Sequence, residues 1–305
     1  MIQKTDLIIT TPSPFNFAAT ISSHGWVDLP PNYCDAETNS MRRIEQLSPG
    51  NVVILQIYDV NSDDPSLIGV QVESENLLLE SEKQEILHKL WDMLRLDEDL
   101  SEFYAICQKR GAPWDEMTRG YGRILRSPTF FEDVVKTICT TNVQWGGTRG
   151  MIKRLVENYG EPYPGNPALR TFPSPEVIAA LPFDEFHANV RMGYRSAYIH
   201  LLSQRVVLGE VDLEAMKRSP LPTNELKKEL LSIKGVGNYA AANLLMLAGR
   251  YDELTVDTVF RQFMRERYFQ NQIPTDKEAL TIYEDWGKWK YLAYWFEIWQ
   301  YYNNQ

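Results

Sequence analysis

Hydrophobic positions follow two different patterns along the chain. Up to about residue 79, short apolar or β-branched runs are separated by polar turns, a pattern typical of strands. The runs are Leu7–Ile9, Phe15–Ile21, Val52–Tyr58 and Leu67–Val72, and a polar turn at 61–65 predicts that the last two form a hairpin. From Ile86 to Leu94 the apolar residues then repeat at helical spacing. The simplest structure for residues 1–108 is an antiparallel sheet covered by one or two helices.

From residue 109 onward the pattern is almost entirely helical. Helices are predicted to begin at Ser127-Pro128 and at Ser174-Pro175, because proline is tolerated in a first helical turn, and to cover 147–159 and 194–208. Residues 162–175 contain five prolines and are predicted to be a loop. The sequence therefore predicts an α+β protein, with a sheet domain at 1–108 and a helical region at 109–305.

Composition narrows the class of protein. The 305 residues are enough for about two domains, and 44% hydrophobic with 24% charged residues is ordinary for a globular chain. No apolar run reaches about 18 residues, so no membrane-spanning helix is expected. The first residues have no signal-peptide pattern, which predicts a cytoplasmic location. Cys34, Cys107 and Cys139 are too widely spaced for a disulfide framework or a structural zinc site.

The net charge of −10 is unevenly distributed along the chain. Residues 1–108 contain six Lys or Arg and eighteen Asp or Glu, whereas the remainder contains 25 and 23. A charged partner responds to the surface that it meets and not to the total charge. The helical region can therefore bind a polyanion if the acidic third faces away from it. The alternative is a solvated acidic face that has no bearing on partners.

Residues 223–249 are predicted to be two helices joined by a tight turn. Asn238 is expected to cap the second helix, which ends at Gly249. The turn consists of Lys234, Gly235, Val236 and Gly237. Its two glycines allow backbone conformations that are closed to other residues, and they expose N–H groups at a helix N-terminus, where phosphate binds. With the added charge of Lys234, the hairpin is a candidate contact to a DNA backbone. The alternative is an ordinary helical hairpin with a glycine at its turn.

Asp257 lies twenty residues after Gly237 and is predicted to be the N-cap of the next helix. That helix would bury Val259, Phe260 and Phe263. The helix dipole and the backbone donors favour the ionised form of a capping aspartate. A fixed carboxylate of this kind can stabilise positive charge on a sugar or orient a water for attack. Asp257 is therefore the candidate catalytic residue.

The segment Leu230–Phe263 resembles the helix-hairpin-helix DNA glycosylases. Ile233–Ala241 matches the hairpin signature of that family, and Val256-Asp257-Thr258 follows at the matching distance. Weaker similarity is found at 127–159, 193–213 and 286–299. Together these segments extend the resemblance over roughly 110–305. The N-terminal third resembles the sheet domain that precedes a two-lobed helical core in the alkylated-base and oxidised-guanine branches.

The resemblance implies an enzyme that extrudes a damaged base from duplex DNA and cuts its N-glycosidic bond. Asp257 matches the essential aspartate of the family. Lyase members carry a lysine at the position of Tyr239, and without an amine no Schiff base forms with the sugar, which implies a hydrolase that leaves an abasic site. No cysteine follows Cys139, so the iron–sulfur cluster of some branches is not expected. Family hairpins often hold a monovalent cation, here on the carbonyls of Ile233 and Gly235, and no other cofactor is expected.

The resemblance also identifies residues that would meet the DNA around the damaged base. Asn142 matches the side chain that fills the gap left by the extruded base, and Gln144 lies beside it. The alternative is a polar loop that simply ends a helix. A flipped base needs stacking surfaces, for which Tyr239, Trp295 and Trp299 are the candidates. Most other aromatic residues of the C-terminal segment are expected in the core.

Two classes of function remain. The first is a monofunctional DNA glycosylase, and the second is a non-catalytic helix-hairpin-helix protein that binds DNA or damaged DNA. Asp257 and the aromatic C-terminal helix favour the enzyme, because a binding module needs only 223–249. An alkylated purine suits the missing lysine and the electron-rich rings, while 138–142 also resembles the oxidised-guanine branch and leaves that lesion open. The expected partner is double-stranded DNA with a damaged base, bound by a monomer in the cytoplasm, at the nucleoid in a bacterium.

Overall fold

The computed structural model describes residues 2–35, 37–48, 50–60, 67–254 and 256–303, with side chains up to Tyr301. The chain divides into two compact units, Met1–Leu213 and Glu214–Gln305. This division lies well beyond residue 108, the position at which the pattern of hydrophobic residues changes.

The first unit contains a five-stranded antiparallel sheet with the strand order β1-β5-β4-β3-β2. The strands are β1 (Gln3–Thr10), β2 (Asn32–Asp35), β3 (Ser40–Gln46), β4 (Val52–Asp59) and β5 (Leu67–Ser74). The predicted hairpin is confirmed, because β4 pairs with β5 and places Ile57 opposite Val70. Both side chains are fully buried, as expected for β-branched residues on the inner face of a sheet. The predicted turn at 61–65 lies outside the described residues.

The prediction of a strand at Phe15–Ile21 is wrong, because α1 (Phe17–Ile21) is helical. The side chain of Asn16 accepts a hydrogen bond from the backbone N–H of Ala19 at 2.9 Å and caps this helix. Phe17, Thr20 and Ile21 then all face the core. A short apolar run fits either period, and the cap decides between them.

Helices make up most of the remainder of the first unit. They are α2 (Glu80–Met93), α3 (Ser101–Arg110), α4 (Phe130–Thr140), α5 (Trp145–Tyr159), α6 (Pro175–Ala180), α7 (Phe183–Val190), α8 (Arg195–Val207) and the start of α9 (Leu213–Lys217). The predicted helix over 194–208 is confirmed to within one residue at each end. The helix predicted from Ser127-Pro128 begins later, because Thr129 is its N-cap and accepts a hydrogen bond from the N–H of Glu132 at 3.3 Å.

A buried ionic network joins α4 to the sheet. The Arg43 guanidinium of β3 binds both carboxylate oxygens of Glu132, at 2.7 and 3.1 Å. Lys136, one turn further along α4, places its Nζ 2.6 Å from Glu132, and Trp26 donates to Asp133 at 2.7 Å. Burial alone would raise the pKa of Glu132, but the two cations lower it to about 2. These contacts help to explain why the first unit extends past the sheet into the helical part of the chain.

The prediction of a loop at 162–175 is wrong in its first part. It contains a two-stranded antiparallel sheet, β6 (Pro162–Tyr163) and β7 (Asn166–Arg170). The region 109–305 was expected to be entirely helical, but it contains this small sheet. Tyr163 is buried against Ile44, Val52 and Ile54 of the main sheet. This long-range packing fixes a segment that its prolines alone mark only as irregular.

Every regular secondary-structure element in the described part of the second unit is a helix. After the end of α9 it contains α10 (Thr223–Leu231), α11 (Asn238–Leu247), α12 (Thr258–Arg267), α13 (Asp276–Thr281) and α14 (Lys290–Asn303), with a 3₁₀ segment at Glu284–Trp289. The predicted α+β class is confirmed. No helix in the described part of the chain is long and apolar enough to cross a membrane.

Candidate functional site

The predicted helical hairpin is present as α10 and α11. Gly235 has a φ of +97°, a conformation that favours glycine. Gly237 has a φ of −95°, which any residue adopts, so only Gly235 uses the backbone freedom that both glycines allow. The N-cap of α11 is Gly237 and not Asn238, which is the first helical residue.

Buried apolar side chains fix the hairpin turn from within the protein. Ile233 and Val236 are buried, and the N–H of Val236 donates to the carbonyl of Ile233 at 3.0 Å. Ala240 and Ala241 are fully buried in the first turn of α11. Lys234, by contrast, is exposed on the turn. The apolar residues therefore fix the backbone of the turn, while its polar edge faces solvent.

Gly237 is exposed, and a Cβ built on it would meet no heavy atom of the described residues within 4 Å. Neither space nor backbone conformation within the unit requires glycine here. In the described structure no side chain caps α11 at this residue, and its first turn contains no acidic residue. The first N–H groups of a helix carry partial positive charge and attract anions. A bare backbone at Gly237 lets an anionic partner approach them closely.

Asp257 is the N-cap of α12, as predicted, and its Oδ1 accepts a hydrogen bond from the N–H of Phe260 at 2.7 Å. Burial is the largest influence on its pKa and raises it, whereas the N–H groups of Phe260 and Val259 lower it. The net effect is a raised pKa, so burial outweighs the backbone donors that were expected to dominate. Phe260 and Phe263 are buried as predicted, but Val259 is 48% exposed and does not belong to the apolar face.

Tyr291 of α14 is a buried phenol in the same unit as Asp257 and Tyr239. Burial raises the pKa of the Tyr291 phenol, and the negative charges that Tyr239 and Asp257 carry when ionised raise it further. The backbone N–H of Tyr291 donates to the carbonyl of Tyr251 at 2.8 Å, which fixes the start of α14. Tyr239, in the first turn of α11, and the capping carboxylate of α12 therefore both act electrostatically on the same buried phenol.

Tyr291 is not among the residues predicted from the sequence to contact the extruded base. The available signal is its spacing, because Tyr291, Trp295 and Trp299 follow one another at four-residue intervals on one helix face. The rings of Tyr291 and Trp295 are stacked, with centroids 5.9 Å apart and planes 17° from parallel. Trp299 is 45% exposed. The stripe therefore runs from the buried phenol of Tyr291 to the partly exposed indole of Trp299.

Most other aromatic residues of the C-terminal segment are buried, as expected. They include Trp286, Trp289, Tyr294 and Phe296. Their contacts are largely with one another and with neighbouring helices: Tyr294 meets the rings of Phe260 and Phe263 at 5.2 and 6.0 Å. These side chains form the core that holds α14 against α12.

The loop between α4 and α5, in the first unit, carries Asn142 and Gln144. Both residues are exposed. Asn142 has a φ of +48°, and its amide nitrogen lies 3.4 Å from the hydroxyl of Tyr194. Gln144 is the N-cap residue of α5, although its side chain makes no capping hydrogen bond. Tyr194, the N-cap residue of α8, contacts this loop but is not among the site residues predicted from the sequence.

Metal ligands of the usual side-chain kind do not gather in the described structure. No group of three or more His, Cys, Asp or Glu residues within it is arranged to hold a metal ion. A cation at the hairpin would therefore depend on backbone carbonyls.

Comparison with family models matches residues 135–288 to the model described as "HhH-GPD superfamily base excision DNA repair protein". The matched segment is about half of the chain, and it contains Asn142, the hairpin and Asp257. A comparison with curated protein sequences gave no match.

Solved structures share the fold of the chain over nearly its full length. A 3-methyladenine DNA glycosylase from Archaeoglobus fulgidus aligns with a TM-score of 0.71 at 20% identity, covering 95% of this chain and 96% of its own. An 8-oxoguanine glycosylase/lyase from Clostridium acetobutylicum, in complex with double-stranded DNA containing cytosine opposite 8-oxoG, aligns with a TM-score of 0.67 at 18% identity. That alignment covers 100% of this chain and 98% of the other. At these identities the likeness is one of fold.

Proposed function

Because this chain belongs to the HhH-GPD superfamily of base excision DNA repair proteins, we propose that it is a monofunctional DNA glycosylase. It flips a damaged purine out of duplex DNA and hydrolyses the N-glycosidic bond, which leaves an abasic site. The observation that carries the proposal is the Asp257 carboxylate, fixed at the N-terminus of α12 by the N–H of Phe260, in the same unit as the hairpin α10–α11. A fixed carboxylate beside a hairpin that binds the DNA backbone is what cleavage of an extruded nucleotide requires.

Asp257 supplies the charge for bond cleavage. As the base leaves, positive charge develops on the sugar, and a fixed carboxylate stabilises that charge or orients the attacking water. The N–H of Phe260 holds the carboxylate in one orientation. Partial burial makes its electrostatic effect stronger than that of an exposed aspartate, since the surrounding dielectric is lower.

The hairpin binds the DNA backbone without reading sequence. The open N-terminus of α11 and the bare backbone at Gly237 suit a phosphate oxygen. Lys234 adds a positive charge on the exposed edge of the turn. A monovalent cation held by the carbonyls of Ile233 and Gly235 would add further attraction, and the Ile233 carbonyl already accepts one hydrogen bond, from Val236, which leaves it one further lone pair.

Strand cleavage is not part of the proposed reaction. A lyase needs an amine that forms an imine with the opened sugar. Tyr239 offers a phenol at that position, which cannot form one. Lys234 lies on the hairpin turn, where it is proposed to face a phosphate and not the sugar, and Lys288 lies 5.0 Å from the ring of Trp289. The product is therefore an intact strand with an abasic site.

An alkylated purine is the proposed lesion. Alkylation at a ring nitrogen gives the base a positive charge, and electron-rich rings attract such a cation. Tyr239, Trp295 and Trp299 offer rings of this kind in the same unit as the Asp257 carboxylate. The fold shared with a 3-methyladenine DNA glycosylase agrees with this choice. Oxidised guanine is the second candidate, because the chain also shares its fold with an 8-oxoguanine glycosylase/lyase.

A non-catalytic protein that binds damaged DNA through the same hairpin is the alternative function. The discriminating experiment uses duplexes with one 3-methyladenine, 7-methylguanine or 8-oxoguanine, incubated with the purified protein in excess. We expect release of an alkylated base and a strand that breaks only after alkali. Borohydride should trap no protein–DNA adduct. Tight binding without release of any base would support the alternative, and a trapped adduct would overturn the monofunctional reaction.

Asn142 and its neighbour Gln144 are proposed to occupy the space that the extruded base vacates. Filling that space recovers part of the lost stacking. Both side chains are exposed on the loop that follows α4.

We expect the protein to act on duplex DNA as a monomer, which sedimentation of the complex tests.

A further inference from the structure

The loop that carries Asn142 is exposed, yet α8 fixes its backbone. Arg195 is the first residue of α8 and is only 7% exposed. Its Nη2 donates to the carbonyl of Thr141 and lies 3.5 Å from the carbonyl of Asn142. Its Nη1 lies 3.4 Å from the carbonyl of Met192. One buried guanidinium therefore connects the loop to the segment just before α8.

The side chain of Asn142 is held by Tyr194, the N-cap residue of α8. Asn142 adopts the left-handed conformation, with a φ of +48°. Asparagine tolerates this region, but such conformations persist only where the surroundings determine them. Here the amide nitrogen of Asn142 meets the hydroxyl of Tyr194 at 3.4 Å. The Tyr194 ring in turn lies 4.6 Å from the Arg195 guanidinium carbon.

The other end of the loop is anchored in the N-terminal region. Trp145 begins α5, and its indole lies against the backbone of Gly25. A Cβ built on Gly25 would lie 2.7 Å from the indole Cη2. The indole can occupy this position only because residue 25 has no side chain. One end of the exposed loop is thus bound by a buried guanidinium, and the other packs an indole that is itself 37% exposed against Gly25.

We propose that Arg195 is a positioning residue that presets the loop 141–145 for insertion into a DNA duplex. In the DNA-free protein the guanidinium is turned inward and bound to backbone carbonyls, so it organises the loop. A loop that is already ordered loses less conformational entropy when it enters the gap in the base stack. This inference rests on the proposed function, because it assigns the loop its role in base extrusion.

The test compares Arg195→Lys with Arg170→Lys. A lysine keeps the charge but lacks the planar fork that reaches two carbonyls at once. Arg170 is the matched control, since its guanidinium also donates to a carbonyl of the first unit, that of Gly160, at 2.8 Å. The DNA probes are an intact duplex and a duplex with a tetrahydrofuran abasic analogue opposite 2-aminopurine.

We expect Arg195→Lys to weaken binding to the abasic-analogue duplex by about tenfold, the size expected when about one further side chain must be ordered on binding. Binding to the intact duplex should change less than about twofold, because phosphate contacts carry it. The 2-aminopurine fluorescence change on binding should decrease. In the DNA-free protein, the amides of Asn142, Val143 and Gln144 should exchange hydrogen faster. Arg170→Lys should alter none of these.

Gly25→Ala gives a second test from the opposite end of the loop. The added methyl group displaces the Trp145 indole, so the same selective loss of affinity for the abasic-analogue duplex is expected even if Arg195→Lys does not fold. Equal weakening of both duplexes, or unchanged affinity and amide exchange in Arg195→Lys, would overturn the proposal. Amide exchange needs no catalytic activity, so failure of excision on every lesion would refute the proposed function while the exchange result still decides the role of Arg195.

Discussion

Opposing effects act on the carboxyl group of Asp257. Partial burial raises its pKa, and the N–H groups at the start of α12 and the charge of Arg261 lower it. Because burial prevails, the group keeps its proton to a higher pH than an exposed aspartate does. The ionised form is the one that stabilises a sugar cation. Protonation of Asp257 therefore sets the acid limit of the proposed reaction.

The single-turnover excision rate should fall on the acid side as pH decreases through the raised pKa of Asp257. Arg261→Gln removes a charge that lowers this pKa, so the acid limb should move to higher pH. Arg267→Gln is the control, because Arg267 pairs with Glu297 at 3.6 Å and is not among the groups that shift Asp257. The measurement is the pH–rate profile at saturating protein. An acid limb at or below about 4, the ordinary range of an aspartate, would contradict this assignment.

The two turn glycines have different physical roles, which a pair of substitutions separates. Gly237→Ala places a methyl group in open space, so the fold should lose no more than about 1 kcal/mol, as for an N-cap change. It should nevertheless weaken binding to damaged and undamaged duplexes alike, by about tenfold if one phosphate contact is lost. Gly235→Ala should instead lower the free energy of unfolding by about 1–3 kcal/mol, because φ is +97° there. Unchanged DNA affinity of Gly237→Ala would exclude phosphate contact at this turn.

At the scale of secondary-structure elements, the attachment of α4 to the sheet depends on buried charged groups. Glu132 lies between Arg43 and Lys136, and all three are buried. Removing one partner of such a group leaves an uncompensated buried charge. The network therefore makes the attachment of α4 to the sheet sensitive to single substitutions.

Glu132→Gln should lower the free energy of unfolding by about 3 kcal/mol or more at neutral pH. Glu157→Gln is the matched control, because the exposed pair of Glu157 with Lys153 at 3.6 Å should contribute less than about 1 kcal/mol. The folded-state pKa of Glu132 is lowered to about 2. Its contribution is therefore complete above the unfolded-state pKa of about 4.3 and is lost as pH falls toward 2. Urea unfolding at neutral pH and at about pH 3 measures both effects, and equal losses for the two variants at neutral pH would refute this role.

Elements with a strong local pattern could be predicted from the sequence. The β4–β5 hairpin, α8 and the pair α10–α11 have clear periods and turn residues, and they lie where expected. Residues 15–21 and 162–170 could not be assigned, because the Asn16 cap and the packing of Tyr163 decide their conformations. The same limit applies to Tyr291. The electrostatic influence of Asp257 on Tyr291 depends on how α14 packs within the second unit, which the spacing of residues along the sequence does not reveal.

Over the whole molecule, the negative charge is concentrated in the N-terminal third of the sequence. Residues 1–108 hold eighteen Asp or Glu and only six Lys or Arg, whereas the rest of the chain is nearly balanced. The hairpin, Asp257 and Asn142 all belong to the balanced part. A net charge of −10 is therefore compatible with binding a polyanion through one part of the chain.

Excision by the whole protein when only the Asp257 charge is removed tests the central claim most directly. Asp257→Asn keeps the size and the capping ability of the residue, so the fold and the affinity for a lesion-containing duplex should be retained. Asp252→Asn is the control; Asp252 lies in the same unit and accepts a hydrogen bond from the Thr223 hydroxyl at 2.7 Å. We predict that single-turnover release of the alkylated base disappears in Asp257→Asn and persists in Asp252→Asn. Near-normal release by Asp257→Asn would contradict the account.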